Sequence, residues 1–219
     1  MIHVRDNCLR VLDRIHNTAV RVGRDPASIR LIAVTKTVPP ENIRVAAECG
    51  IRDAGENRLQ EALPKIQTLS DLGLTWHFIG HLQTNKAKKV VESFQWVQCV
   101  DRIELANKLN DAVSAPMPVL IEVKLHDEPN KSGVDETGLP ALVEQFSKYR
   151  CLHLRGLMAI PPFLENTDAV RPYFRKLREL AQKFQLPELS MGMSHDFEVA
   201  IEEGATMVRV GTSLFGERN

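Results

Sequence analysis

A chain of 219 residues, 43% apolar and 26% charged, is long enough for one good core and short for two full domains. Its 28 basic and 28 acidic side chains cancel, which removes the global electrostatic reason to expect nucleic acid or an anionic membrane as a partner. The opening MIHVRDNCLRVLDRIHN lacks the apolar run of a signal peptide, and no stretch approaches the roughly 18 apolar residues of a membrane span.

In chain order, the first element is an amphipathic helix. Its apolar positions are Val4, Val11, Leu12, Ile15, Ala19 and Val22, and Gly23 stops it. RLIAV (30–34) reads as a strand, followed by a helix over about 41–49 that Gly50 closes. Further strands are expected at 51–53, 75–79, 96–100, 119–124, 154–158, 188–191 and 207–210. Helices fall between them, at 85–94, 102–113, 139–149 and 169–184 among others, with soft boundaries at Pro64 and Pro172. The four cysteines (Cys8, Cys49, Cys99, Cys151) are far apart in sequence, unlike a disulfide framework or a zinc site, and suit a reducing cytoplasm.

Eight strands joined by helices predict an α/β fold, a closed (β/α)8 TIM barrel with an extra N-terminal helix, in one domain over 1–219. Strands such as LIAV and PVLIEV are apolar throughout, as expected when helices cover one side and core fills the other. A doubly wound open sheet is the competing fold. It needs fewer strands, and TKTVPPEN after the first strand has none of the glycines of a dinucleotide turn.

Barrels bind ligands at the carboxyl ends of their strands. The residues just past those ends are Thr35-Lys36-Thr37, Gly55-Glu56-Asn57, Gly80-His81-Leu82-Gln83, Gly192-Met193-Ser194 and Gly211-Thr212-Ser213. The last two loops follow strands seven and eight, where barrels commonly hold phosphate, and each offers a hydroxyl and a helix start whose N–H groups favour an anion. Taken singly, Ser194, Thr212 or Ser213 is better explained as a helix cap, and it is their joint placement on these two loops that points to phosphate. Strand alternation puts Ile32, Val34 and Lys36 on one face. A lysine partly desolvated there can form a Schiff base, and one exposed at a strand end does nothing. Met207, Arg209 and Gly211 likewise share a face, so Arg209 either approaches a cofactor ring nitrogen or pairs with Glu56 or Asp53.

Several apparent motifs carry no chemistry. Ser194-His195-Asp196 are sequence neighbours, which rarely reach triad geometry. His77 and His81 lack the glutamate of a zinc-protease helix, and Asn130-Lys131-Ser132-Gly133 lacks the glycine preceding a P-loop lysine. Lys86, Lys88 and Lys89 read as a solvated helix face.

Nearly end to end, the chain resembles the pyridoxal phosphate homeostasis proteins of the alanine-racemase-like fold, fold type III of the pyridoxal phosphate proteins. The resemblance is carried by Ile32-Ala33-Val34-Thr35-Lys36, by Gly55-Glu56-Asn57 with Gln60-Glu61, and by Trp76-His77-Phe78-Ile79-Gly80 with Leu82-Gln83 and Asn85-Lys86. It continues in Lys131-Ser132-Gly133, Gly156-Leu157-Met158-Ala159-Ile160-Pro161 and Leu189-Ser190-Met191-Gly192-Met193-Ser194 with Asp196, and closes in Val208-Arg209-Val210-Gly211-Thr212 with Phe215-Gly216 and Arg218. The resemblance implies pyridoxal 5'-phosphate as cofactor, with a Schiff base on Lys36. Ser194, Gly211 and Thr212 would hold the phosphate, Arg209 would face the pyridine nitrogen, and Asn57 and His77 would lie near the ring. Thr35, Ala54 and Arg58 depart from the family pattern, which bears on the pocket wall at the second strand.

The same fold serves amino-acid racemases, which need a second acid/base across from the lysine. In the related racemases this is a tyrosine from an added β domain of the partner subunit. The chain ends at Asn219 just after its last strand, and its two tyrosines, Tyr149 and Tyr173, are expected in outer helices. Nothing in the sequence places His81 or His126 to substitute. An arginine facing the ring nitrogen can only donate, which keeps that nitrogen unprotonated and the ring a poorer electron sink. The expected role is therefore storage, buffering or delivery of pyridoxal phosphate without conventional catalysis. Apoenzymes would be transient partners, the protein a cytoplasmic monomer, with no nucleic acid, membrane or metal involved. A racemase with an unconventional second base is the first alternative, and a Schiff-base aldolase working without cofactor is the second. A pure interaction module would leave the convergence of Lys36 and the two phosphate-type loops unexplained.

Overall fold

The computed structural model describes residues 2–126 and 132–217. Asn130, Lys131 and Arg218, which the sequence reading singles out, lie outside the described residues. Eight parallel strands close into a barrel in simple chain order, and the last pairs with the first. They are β1 (Arg30–Val34), β2 (Asp53–Glu56), β3 (Thr75–Phe78), β4 (Trp96–Val100), β5 (Met117–Glu122), β6 (Leu152–Met158), β7 (Glu188–Ser190) and β8 (Met207–Val210).

The helices form the outer layer. They are α1 (Ile2–Arg21), α2 (Pro40–Glu48), α3 (Leu59–Thr68), α4 (Ala87–Ser93), α5 (Ile103–Ala112), α6 (Leu139–Phe146), α7 (Arg171–Lys183), α8 (Phe197–Glu202) and α9 (Thr212–Phe215). Strands β1, β4 and β8 have the bounds that the sequence predicts, and β5 and β6 each begin two residues earlier. The helix expected over 85–94 opens as a 3-10 turn at Thr84–Lys86 before α4. Pro64 sits inside α3, and Pro172 lies in the first turn of α7, where its missing N–H costs nothing.

Alternation along the strands divides two sets of side chains. Val97, Cys99, Leu189, Met191, Val208 and Val210 belong to the large core between sheet and helices. Ile32, Leu120, Met158 and Met207, from β1, β5, β6 and β8, form a separate small cluster inside the barrel, with Trp96 packed against it. The face of β1 that carries Ile32, which alternation also gives to Val34 and Lys36, thus lines the lumen.

Helix α1 packs against α2, α8 and α9. Its Arg14 makes two bonds to Glu198 of α8, at 3.1 and 2.8 Å, and lies over the Phe197 ring. Asn7 donates to the Leu214 carbonyl of α9 at 3.2 Å. The buried Cys8 meets Cys49 past the end of α2, although the two are distant in sequence. Burial, with Cys49 beside it, pushes the Cys8 thiol up to about 12. All four cysteines are free thiols.

Candidate functional site

At the carboxyl end of the barrel, Val34, Lys36, Met193, Ser194, His195, Arg209, Gly211 and Thr212 line one open cavity of about 210 Å³. Lys36 stands two residues past β1, half-buried, and the loops after β7 and β8 supply the opposite wall. A larger groove of about 530 Å³ opens at the other end of the barrel, beside Thr75, Trp96 and Pro118 at the starts of β3, β4 and β5. Glu92 is the sole ionisable residue in its lining, and barrel chemistry belongs to the carboxyl end.

The turn that carries Lys36 is clamped from below. Lys65 of α3 is buried and donates to the Thr35 carbonyl at 2.7 Å, to Glu56 Oε1 at 2.9 Å and to Glu61 Oε1 at 2.6 Å. The Thr35 hydroxyl donates to the same Glu56 oxygen at 2.7 Å, and the Thr37 N–H donates to Glu61. Thr37 takes a left-handed φ of 61°, a conformation that a side chain tolerates only when its surroundings impose it. Burial lifts the Glu56 carboxyl above its usual range, against the opposing pull of Lys65 and Thr35. Sequence reasoning missed Lys65 altogether. The one signal was the Glu61–Lys65 spacing, four apart on a helix.

Ser194 joins the two phosphate-type loops. Its hydroxyl oxygen accepts from the Gly211 and Ser213 N–H groups, each at 3.2 Å, at the entrance to α9. The Ser213 hydroxyl donates back to the Ser194 carbonyl at 3.3 Å. No triad forms. His195 faces the carbonyls of Leu164 and Glu165, and Asp196 accepts from the Met193 N–H at 2.6 Å.

Arg209 is almost wholly buried at the cavity floor. It pairs with neither Glu56 nor Asp53. Its Nη1 donates to Ser190 Oγ at 2.7 Å and its Nη2 to the Ala159 carbonyl at 2.9 Å. Burial lowers its pKa to about 10, against Glu122 and Asp196, so it stays a cation at neutral pH.

Of the residues the sequence places around a ring, Asn57 and His77 do not line this cavity. Asn57 follows β2 at the same end of the barrel, and its amide oxygen is buried with no hydrogen-bond partner. His77 lies inside the barrel, with Asp53 Oδ1 at 2.7 Å from Nε2 and Gln98 Nε2 at 3.0 Å from Nδ1. Burial holds its imidazole below the ordinary range, against the opposing effect of Asp53. His77 and His81 make no metal site, and among the described residues no cluster of His, Cys, Asp or Glu has the arrangement of one. Neither tyrosine reaches the cavity. Tyr149, three residues past α6, donates to Asn107 at 2.6 Å, and Tyr173 sits on α7 against His126. Among the described residues no helix is long and apolar enough to cross a membrane.

The residues fit a phosphorylated aldehyde. The cavity brings together an amine, a buried cation and a hydroxyl beside the N–H groups of a helix start, and past β2, at the same end of the barrel, the buried Asn57 amide oxygen lacks a donor.

Comparison with known proteins agrees. The sequence profile of the alanine racemase N-terminal domain matches residues 12–219. The pyridoxal phosphate homeostasis protein of Aquifex aeolicus is 50% identical over 218 residues, 95% of this chain and 96% of its own. PipY of Synechococcus elongatus, solved with pyridoxal phosphate bound, is 40% identical with a TM-score of 0.83, over 94% of this chain and 100% of that one. Alanine racemase of Corynebacterium glutamicum, at 19% identity, shares the fold alone. Its TM-score is 0.71, and the match spans 99% of this chain and 60% of the racemase. Barrel, lysine turn and paired loops thus agree with sequence kinship along the whole length, and the chain belongs to the alanine racemase N-terminal domain family, among the pyridoxal phosphate homeostasis proteins.

Proposed function

We propose that the protein binds pyridoxal 5'-phosphate at the carboxyl mouth of the barrel, covalently through the Lys36 amine, and serves cofactor homeostasis by storing, buffering or delivering it. The observation that carries this reading is the convergence of Lys36, Ser194, Arg209, Gly211 and Thr212 on one cavity. Ser194 with the N–H groups around Gly211 and Thr212 takes the phosphate, and Arg209 donates to the ring nitrogen. Asn57 contributes its orphaned amide oxygen from the loop past β2, at the same end of the barrel. His77 acts from inside the barrel, away from the cavity lining. When bound, the cofactor supplies an aldehyde for the amine and a ring that withdraws electrons.

A holding role is favoured over racemisation. Both tyrosines are placed elsewhere, and Arg209, a cation at neutral pH, donates and cannot protonate the ring nitrogen. The protein acts as a cytoplasmic monomer over one domain and meets recipient apoenzymes transiently. Sedimentation of the loaded protein tests the monomer, and reconstitution of an apoenzyme by loaded protein against free cofactor tests delivery.

The deciding experiment is a visible spectrum with pyridoxal phosphate, then borohydride reduction and peptide mass mapping. A pyridoxyl adduct on the Lys36 peptide, lost in Lys36→Ala, is the expected result. No visible band would leave an aldolase-like use of Lys36. Racemisation of free amino acids that Lys36→Ala abolishes would overturn the holding role.

A further inference from the structure

A line of buried polar side chains leads away from the cavity floor into the barrel, and the binding role above does not account for it. Arg209 Nη1 donates to Ser190 Oγ at 2.7 Å, and Ser190 Oγ donates to Gln98 Oε1 at 2.7 Å. Gln98 Nε2 lies 3.0 Å from His77 Nδ1, and His77 Nε2 lies 2.7 Å from Asp53 Oδ1. Arg30, on β1, stands 3.8 Å from that same carboxylate oxygen. Ser190, Gln98 and His77 are fully buried.

With the Gln98 amide oxygen on Ser190, the donors run in one direction. Ser190 has a single proton and spends it on Gln98, so its lone pairs must receive Arg209. Gln98 accepts at its oxygen, so its amide N–H donates to His77 Nδ1. That nitrogen is then an acceptor, the proton of the neutral ring sits on Nε2, and it points at the Asp53 carboxylate. The groups packed against the ring are Asp53, Gln98, Arg30 through Asp53, and Trp96, which stacks on it at 5.6 Å between centroids. Five polar groups in a lumen that could be filled by leucine are costly unless each is satisfied, and here each link satisfies the next.

We propose that Gln98, acting through Ser190, is a positioning residue for Arg209, and that the chain ending at Asp53 holds the guanidinium in the one orientation that meets the cofactor's ring nitrogen. The proposal rests on the pyridoxal phosphate reading. Without Ser190 the Nη1 of Arg209 loses its acceptor, and without Gln98 the Ser190 hydroxyl loses the partner that fixes its rotamer, so in either case the guanidinium can turn about its long side chain.

Two measurements test it. In the unmodified protein, nitrogen-15 NMR of the His77 ring should show the neutral Nε2–H tautomer, with and without pyridoxal phosphate. The Nδ1–H tautomer or an imidazolium would overturn the chain as drawn. The second measurement loads Ser190→Ala and Gln98→Met with pyridoxal phosphate. Both should still give the reduced adduct on Lys36, with affinity about 10-fold lower and a visible band that titrates with pH where the wild-type band is flat. Ser190→Thr, which keeps the hydroxyl, should restore the wild-type spectrum. If Arg209→Ala alters the band but Ser190→Ala and Gln98→Met match wild type, positioning fails and the cofactor reading stands. If wild type forms no Lys36 adduct, that reading falls and this one with it. Should the lumen variants not fold, the tautomer in the unmodified protein decides.

Discussion

Burial, against the opposing effect of Asp53, holds the His77 imidazole below its ordinary range in the folded protein. In the unfolded chain it titrates near 6.5. Below that pH the unfolded chain takes up a proton that the folded chain refuses, so stability is complete above about 6.5 and declines as pH falls toward the depressed folded value. The free energy of unfolding in urea should therefore drop between about pH 7 and about pH 5, by at most about 1.4 kcal/mol per pH unit. His77→Gln should flatten that drop, and equal pH dependence in the two proteins would rule His77 out as its source. Ser194→Ala should weaken phosphate-dependent binding by about 1 kcal/mol, because the hydroxyl bracing Gly211 and Ser213 is gone. Binding of pyridoxal, which lacks the phosphate, should hardly change in the same titration. At this scale the sequence reveals what strand ends reveal: the place of Lys36, Ser194, Gly211 and Thr212 on the cavity was legible because a barrel's mouth is defined by where its strands stop, and that of Arg209 because side chains alternate along β8. The bonds of Lys65 to Thr35 and Glu56, and of Gln98 to Ser190, were not legible, because each joins side chains on different elements.

Among the elements, β2 departs most from its expectation. The sequence suggests a strand over 51–53 running into a Gly-Glu-Asn loop, whereas the strand runs from Asp53 to Glu56. A short strand of Asp-Ala-Gly-Glu looks like a turn until its neighbours are known. Gly55 is needed there because a Cβ would lie 2.9 Å from Ile32 and 3.0 Å from Ile79, and Glu56 is tolerated because Lys65 and Thr35 meet it. The apolar strands β1, β4 and β8 needed no such context, which is why their bounds were readable. The loop after β3 presses on the loop after β2 in the same way. A Cβ on Gly80 would fall 2.3 Å from the Asn57 carbonyl oxygen and 2.6 Å from its Cα. Gly80→Ala should therefore cost about 1–3 kcal/mol of stability, measured by denaturant unfolding, and lower affinity for pyridoxal phosphate by moving Asn57. Wild-type stability and affinity would show that the loop yields freely.

Across the molecule, α1 ties the opening of the chain to its final helices. Ile15 sits in the large core on that helix, and Arg14, Asn7 and Arg21 reach Glu198, Leu214 and Glu202. Ile15→Ala should lower unfolding free energy by about 2–4 kcal/mol in urea. Loss of pyridoxal phosphate affinity should accompany it, since α1 braces α8 and α9 beside the phosphate-type loops. The closed order of the strands has a consequence for biosynthesis. Lys36 follows the first strand and Arg209 belongs to the last, and the seam between β1 and β8 joins them. A ribosome therefore releases Lys36 long before Arg209 and the Gly211 turn exist. Formation of that seam has a high contact order, and it comes last in vectorial folding. A cavity lined from both ends of the chain does not exist on the nascent chain, and whatever it binds must wait until β8 has closed on β1.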